Sequence, residues 1–236
     1  MSTTAVTLNL LCAGAAQGVV KALQAKFQAD EAAAIGGRFG AVGAMKEAFD
    51  AGEPCDVMVV TQAIVSTLVD AGALRAGSAV PLGRVRTGVA VRQGDAAADV
   101  STPQALREAL LAADAIYFPD AERSTAGIHF ASVMRQLGIH EAVASRLRTY
   151  PNGATAMREL AQSTAARPIG CTQVTEIKYT PGVSLIAQLP PEFELATVYT
   201  AAVATRAQSP ALAERFIALM AGPSAEALRA EAGFEA

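Results

Sequence analysis

At 236 residues, 52% hydrophobic and 17% charged, the chain is long enough to bury a real core, as one large domain or as two lobes. A net charge of -3, with arginines scattered along the sequence, excludes the basic stripe that a nucleic-acid partner requires. In chain order, Val6 to Leu11 is an apolar run ended by Cys12-Ala13-Gly14-Ala15, which predicts a buried strand and a turn. Val19, Val20, Leu23 and Phe27 then recur at helical spacing. The unit repeats: a strand at Ile35 to Phe39, a turn at Gly40-Ala41-Val42-Gly43, and a helix through Met45 and Phe49. It repeats again from Asp56 to Val60, with a helix through Ile64, Leu68 and Val69. Strands without polar alternation, separated by helices, predict a parallel sheet covered on both faces.

The middle of the chain continues the theme. Val85 to Val91 reads as a strand, and Ser101-Thr102-Pro103 caps the next helix, with proline in its first turn. Ala115 to Phe118 is a strand, and Ser124-Thr125 opens a helix through Ile128, Val133 and Leu137. Asn152 caps a helix through Met157 and Leu160, Ile169 to Thr172 is a strand, and Leu185, Ile186 and Leu189 form a further apolar run. Pro190-Pro191 breaks the pattern before a strand at Thr197 to Val203. Ser209-Pro210 caps a helix carrying Leu212, Phe216, Leu219 and Met220, and Gly222-Pro223-Ser224 restarts a last helix ending at Gly233-Phe234.

Crossings near residues 82–86 and 190–199 divide this pattern. Residues 1–82 and 198–236 are expected to form one lobe and 86–190 the other. Cys12, Cys55 and Cys171 are too few and too irregularly spaced for a disulfide framework or a zinc site, and fit small buried hydrophobes. With no metal-ligand cluster in view, neither a metal nor a cofactor is expected. No stretch approaches the roughly 20 apolar residues that span a bilayer, so membrane insertion is not expected. Met1 to Thr7 lacks a basic n-region and an apolar h-region, so no signal peptide is predicted. The expectation is a cytoplasmic chain, or a periplasmic one whose leader has been removed.

Four segments in order resemble the molybdate-binding family of class II periplasmic-type receptors. They are Leu11-Cys12-Ala13-Gly14-Ala15-Ala16; Phe39-Gly40-Ala41-Val42-Gly43-Ala44 followed by Gly52-Glu53-Pro54-Cys55-Asp56-Val57; Asp120 to Gly127; and Pro210 to Phe234. The resemblance implies a two-lobed α/β fold of the periplasmic-binding-protein-like II type, each lobe a mainly parallel sheet flanked by helices. It also implies a monomer that closes on a small anionic ligand between the lobes and, if exported, delivers it to the membrane subunit of an ABC importer. General physics favours the same kind of place, because ligands of open α/β sheets bind beyond the carboxyl ends of strands. Helix N-termini there offer unpaired N–H groups and partial positive charge. The loops Ala13–Gln17, Gly40–Gly43 and Arg123–Ala126 run straight into helices.

The sequence departs from that family at the donors. The family's two loop serines fall on Ala15 and Val42, and its second-lobe tyrosine falls on Gln173. A methyl and an isopropyl donate nothing, and each donor lost to a buried charged ligand costs about 1.5–3 kcal/mol. An organic carboxylate, a di- or tricarboxylate included, therefore fits better than molybdate. The polar groups that remain are Gln17 at the first helix entry, Thr61 after a buried strand, Ser124 and Thr125 at a helix start, Arg86 at a crossing, and Gln173. Gly43 completes the second loop. Each has a plain structural alternative: N-capping for Thr61, Ser124 and Thr125, solvent exposure for Gln17, an ion pair for Arg86, and a buried hydrogen bond for Gln173.

The same fold family includes aconitate isomerase, which the chain resembles in overall architecture, so a 1,3-proton shift in a tricarboxylate is the enzymatic alternative. That reaction needs a general acid or base beside the carbon. His129, one turn into the helix opened by Ser124-Thr125, is the candidate, with Glu122 and Glu176 as titratable groups near predicted loops. His140 lies at a helix break and reads as structural. No nucleophile elbow, P-loop, HExxH or paired-carboxylate signature occurs, which favours a binding protein over an enzyme.

Overall fold

The computed structural model describes residues 6–236, and the reading of Met1 to Thr7 falls mostly outside them. The chain divides into two compact units. One runs to Arg84 and resumes with Thr197–Ala236; the other is Val85–Ala196.

The first unit opens with β1 (Val6–Ala13), a 3-10 turn at Gly14–Ala16, and α1 (Gln17–Glu31). It continues with β2 (Ala33–Gly40), α2 (Val42–Asp50), β3 (Val57–Thr61) and α3 (Gln62–Asp70). Consecutive β1 residues Leu10, Leu11 and Cys12 are all at most 1% exposed, so helices or turns cover both faces of this strand. The stripe Val19, Val20, Leu23 and Phe27 is the buried face of α1, at the spacing a 3.6-residue period demands.

The second unit begins within β4 (Val80–Arg92). After it come α4 (Pro103–Ala112), β5 (Ala115–Pro119), α5 (Thr125–Gln136), α6 (His140–Val143), β6 (Leu147–Tyr150), α7 (Gly153–Ala161), β7 (Pro168–Gln173), α8 (Val174–Tyr179) and β8 (Val183–Gln188). Its strands β6, β5 and β7 are parallel, and β4 joins both β7 and β8 antiparallel. One face of this sheet carries Val89, Ile116, Phe118, Ile169 and Cys171 against Leu106 of α4 and Phe130 and Val133 of α5. The opposite face carries Ala90, Ala115 and Tyr117 against Met157 and Leu160 of α7 and Ile177 of α8. Neither β6 nor α8 is predicted by periodicity. The first is a four-residue strand without a buried residue, and the second follows β7 with no turn signal between them.

The chain returns to the first unit in β9 (Ala196–Val203), followed by α9 (Pro210–Ala221) and α10 (Glu226–Ala232). There β2, β1 and β3 are parallel, and β9 extends the sheet antiparallel to β3. Phe27 of α1 meets Phe216 of α9 edge-on at 4.8 Å, a geometry that adds to the area both rings bury. Asp56, 1% exposed, accepts from the backbone N–H of Asn9, Gln208 and Ser209 at 2.8, 2.7 and 3.0 Å. This corrects the expectation that Ser209 caps α9: its side chain makes no cap bond, and the carboxylate of Asp56 receives its N–H instead. The Gly-x-Pro-x-Asp-Val turn therefore carries, in Asp56, the residue that ties β1 to the entry of α9 just before β3 begins.

Candidate functional site

Within the first unit the register of β2, β1 and β3 brings their carboxyl ends to one edge of the sheet. The 3-10 turn leading into α1, α2 and α3 start at that edge. Their N-cap positions are Ala13 and Ala16, Ala41, and Thr61, and none makes a side-chain cap bond. Thr61, half-buried, thus sits at an N-cap without capping, because its hydroxyl does not accept from the next turn. Ala15 and Val42 are buried at 4% and 7% exposure, while Gln17 and Gly43 are half-buried in the first turns of α1 and α2. Three helix starts at which no side chain makes a cap bond are the arrangement in which an anion can take the N–H groups.

Within the second unit β6, β5 and β7 likewise end at one edge, where α7, α5 and α8 begin. The start of α7 is closed from inside. Asn152 Oδ1 accepts from Thr155 N–H at 2.9 Å, and the Glu176 carboxylate accepts from the N–H groups of Gly153 and Ala154. Thr172 Oγ1 donates to Glu176 Oε2 at 2.6 Å. Burial pushes the Glu176 carboxyl above the usual carboxylate range, against the opposing pull of these hydrogen bonds. Glu176 therefore lies in α8 and not beside an open loop: it is 4% exposed and serves as an internal cap on α7.

The start of α5 differs. Ser124, 7% exposed, caps it with a long 3.4 Å bond from Gly127 N–H, and Thr125 is half-buried beside it. Gly127 has to be glycine, since a Cβ there would lie 2.1 Å from Asp120 O. The helix thereby presses its first turn against the loop that follows β5.

Gln173 ends β7 at 2% exposure, and among the described residues neither its Nε2 nor its Oε1 has a hydrogen-bond partner. Thr87 faces it across the antiparallel register, and Thr87 Oγ1 and Thr175 Oγ1 are buried and unpartnered as well. Side chains alternate along strands, so Gln173 and Thr87 share the face of Cys171 and Val89, which is the face α5 covers. The bare amide of Gln173 and the bare hydroxyl of Thr87 therefore lie on the side of the sheet that α5 covers. Buried polar groups are nearly always paired, so these groups ask for an additional partner.

The remaining candidates have partners of their own. Arg86, half-buried, forms an ion pair with Glu194. His129 Nε2 lies 2.7 Å from Phe193 O. A carbonyl only accepts, so the proton sits on Nε2 and the ring tethers the Pro191–Phe193 turn to α5. Glu122 is exposed, and His140 pairs with Glu141 at 3.4 Å.

Two concavities lie away from these helix starts. One of about 350 Å³ in the second unit is lined by Val91, Ala96, Ala109, Ala113 and Pro168, at the amino end of β7. Another of about 160 Å³ in the first unit is lined by Asn9, Pro54, Asp56 and Arg206, at the amino end of β3. Each lies at the edge of its own unit's sheet opposite to that unit's helix starts.

The profile of the bacterial extracellular solute-binding proteins matches residues 8–235. Aconitate isomerase of a Pseudomonas species is 26% identical over 177 residues, which is 73% of this chain and 64% of that protein, so the match leaves over a third of the relative uncovered. The periplasmic molybdate-binding protein of Azotobacter vinelandii superposes with a TM-score of 0.79 at 18% identity, covering 98% of this chain and 99% of that one. The sulfate-binding protein of Mycobacterium tuberculosis H37Rv superposes with a TM-score of 0.73 at 17% identity, covering 97% and 86%. At such identities the likeness shows the fold alone, which is that of periplasmic binding proteins. With the profile spanning nearly its whole length, this chain belongs to the bacterial extracellular solute-binding protein family.

Proposed function

We propose that this protein binds a small organic anion, a carboxylate, at the carboxyl edges of its sheets, and that it serves as the exported binding component of an ABC importer. The observation that carries the reading is Gln173, a buried amide without a protein partner on the α5 side of its sheet. An amide suits a carboxylate, and the hydroxyl of Thr87, its partner across the register, supplies a further hydrogen bond. In the first unit, Ala15 and Val42 at the uncapped helix starts leave backbone N–H groups, and no hydroxyls, as donors to an anion. Arg86 enters through its ion pair with Glu194, which fixes the guanidinium near the beginning of the second unit. The test is a thermal-shift panel of mono-, di- and tricarboxylates, molybdate and sulfate. A ligand at a hundred times its Kd stabilises by about 2.7 kcal/mol, which is easily read. Tight molybdate binding with no response to any carboxylate would overturn the proposal.

The relative that is an aconitate isomerase supports a second reading, an isomerase acting on a tricarboxylate. Its acid–base group has to come from this chain, and His129 with its Nε2 proton committed to Phe193 O offers only Nδ1. Incubation with cis- or trans-aconitate, followed by ultraviolet absorbance, decides this reading: an unchanging spectrum at high protein concentration removes it.

A further inference from the structure

Resting on the organic-anion reading, we infer that the ligand carries its own O–H beside the carboxylate, which makes it a hydroxycarboxylate, and that Gln173 is the residue that selects for it. A primary amide has two faces to satisfy: Nε2 donates and Oε1 accepts. Both are buried without a protein partner. An ionised carboxylate, sulfate or molybdate only accepts, so it can satisfy Nε2 but leaves Oε1 facing another acceptor. Thr87 and Thr175 do not relieve this, since their hydroxyl oxygens are themselves buried without partners. A ligand hydroxyl donating to Oε1 while the neighbouring carboxylate accepts from Nε2 pairs both atoms of the amide at once.

Sites built to pair a substrate hydroxyl discriminate strongly against the analogue that lacks it, because the protein's own polar group is then stranded. Apolar neighbours cannot produce such selectivity. Hydrogen phosphate also bears an O–H on an anion, but it concentrates two negative charges on one group, where each carboxylate carries one. The polar groups on this side of the sheet are the amide, the Thr87 hydroxyl and the start of α5, whose partial charge is about half a unit. That supply suits a carboxylate better than a phosphate.

The experiment is isothermal titration of the whole chain with matched pairs, lactate against propionate and malate against succinate, with hydrogen phosphate as a further arm. In whichever pair binds, the hydroxylated member is expected to bind at least about tenfold more tightly. Gln173→Met keeps the length and removes both polar atoms, and should bring the two members to within about twofold. The wild-type comparison decides even if that variant fails to fold. Equal binding within the pairs, or preference for the acid without the hydroxyl, overturns this inference and leaves the organic-anion reading standing. Preference for hydrogen phosphate over every hydroxy acid overturns the carboxylate part. Failure of every acid to bind takes down both.

Discussion

Thr172 Oγ1 and Glu176 Oε2 lie 2.6 Å apart in the interior of the second unit, and Gly153 sits directly against both. A Cβ on Gly153 would fall 2.0 Å from each of these oxygens. Gly153→Ala should therefore dislodge the internal cap of α7 and cost about 1–3 kcal/mol, as overpacking of a close-packed interior does. Urea denaturation measures it. A variant as stable as the parent would mean that the carboxylate is not held where it is drawn.

The pH dependence of stability follows from the same group. Folding raises the Glu176 carboxyl above its ordinary value of 4.5, so the folded state holds that proton more tightly than the unfolded chain. Its contribution is fully present below 4.5 and is lost as pH rises from there through the raised folded value. Glu176→Gln cannot ionise, so its unfolding free energy should fall less over that window than the parent's. Urea midpoints at a series of pH values would expose the idea as wrong if the two curves ran parallel.

Asp56, 1% exposed, receives three backbone N–H groups. Asp56→Ala should cost about 3 kcal/mol by stranding the donors of Asn9, Gln208 and Ser209. A loss under about 1 kcal/mol would show that these donors find other acceptors.

Thr61 occupies the N-cap of α3 without capping it. Thr61→Asp supplies an acceptor to the first turn and should leave stability unchanged or raise it by about 0.5–1 kcal/mol. The same carboxylate would repel an anion at the start of α3 and weaken carboxylate binding at least about tenfold. Calorimetric titration beside a melting curve reads both effects, and unaltered affinity would exclude α3 from the site.

The three thiols should be silent in the native protein. Cys12, Cys55 and Cys171 are free and buried, and burial pushes Cys55 up to about 12, with Cys12 and Cys171 raised well above the ordinary range by the same cause. A thiol reagent at neutral pH should label none until denaturant is added, when all three react. Labelling in the native state would contradict the packing around these side chains.

Much of the fold was legible because its signals are local. The apolar run at Val6 to Leu11, the stripe at Val19, Val20, Leu23 and Phe27, and the caps Thr102 and Asn152 each depend on residues within a turn or two. Where local signals were thin, elements went unseen: β6 has no buried residue, and α8 has six residues and no entry turn. Ser209 looked like a cap because serine before proline usually is one, but a carboxylate 153 residues away took that place. Glu176 gave no hint of its role, since its partners at Gly153 and Ala154 come from a helix that precedes it by some twenty residues.

For the candidate site the division is similar. The sequence by itself determined that strands alternate with helices, that small residues open several of those helices, and that Ala15 and Val42 offer no side-chain donor. Tertiary structure alone decided which helix starts lack caps, that Arg86 pairs with Glu194 and His129 with Phe193, and that the amide of Gln173 is left without a partner. Periodicity follows from the geometry of a single helix or strand. Hydrogen-bond pairing depends on sheet register and on segments distant in the chain, which no local pattern encodes.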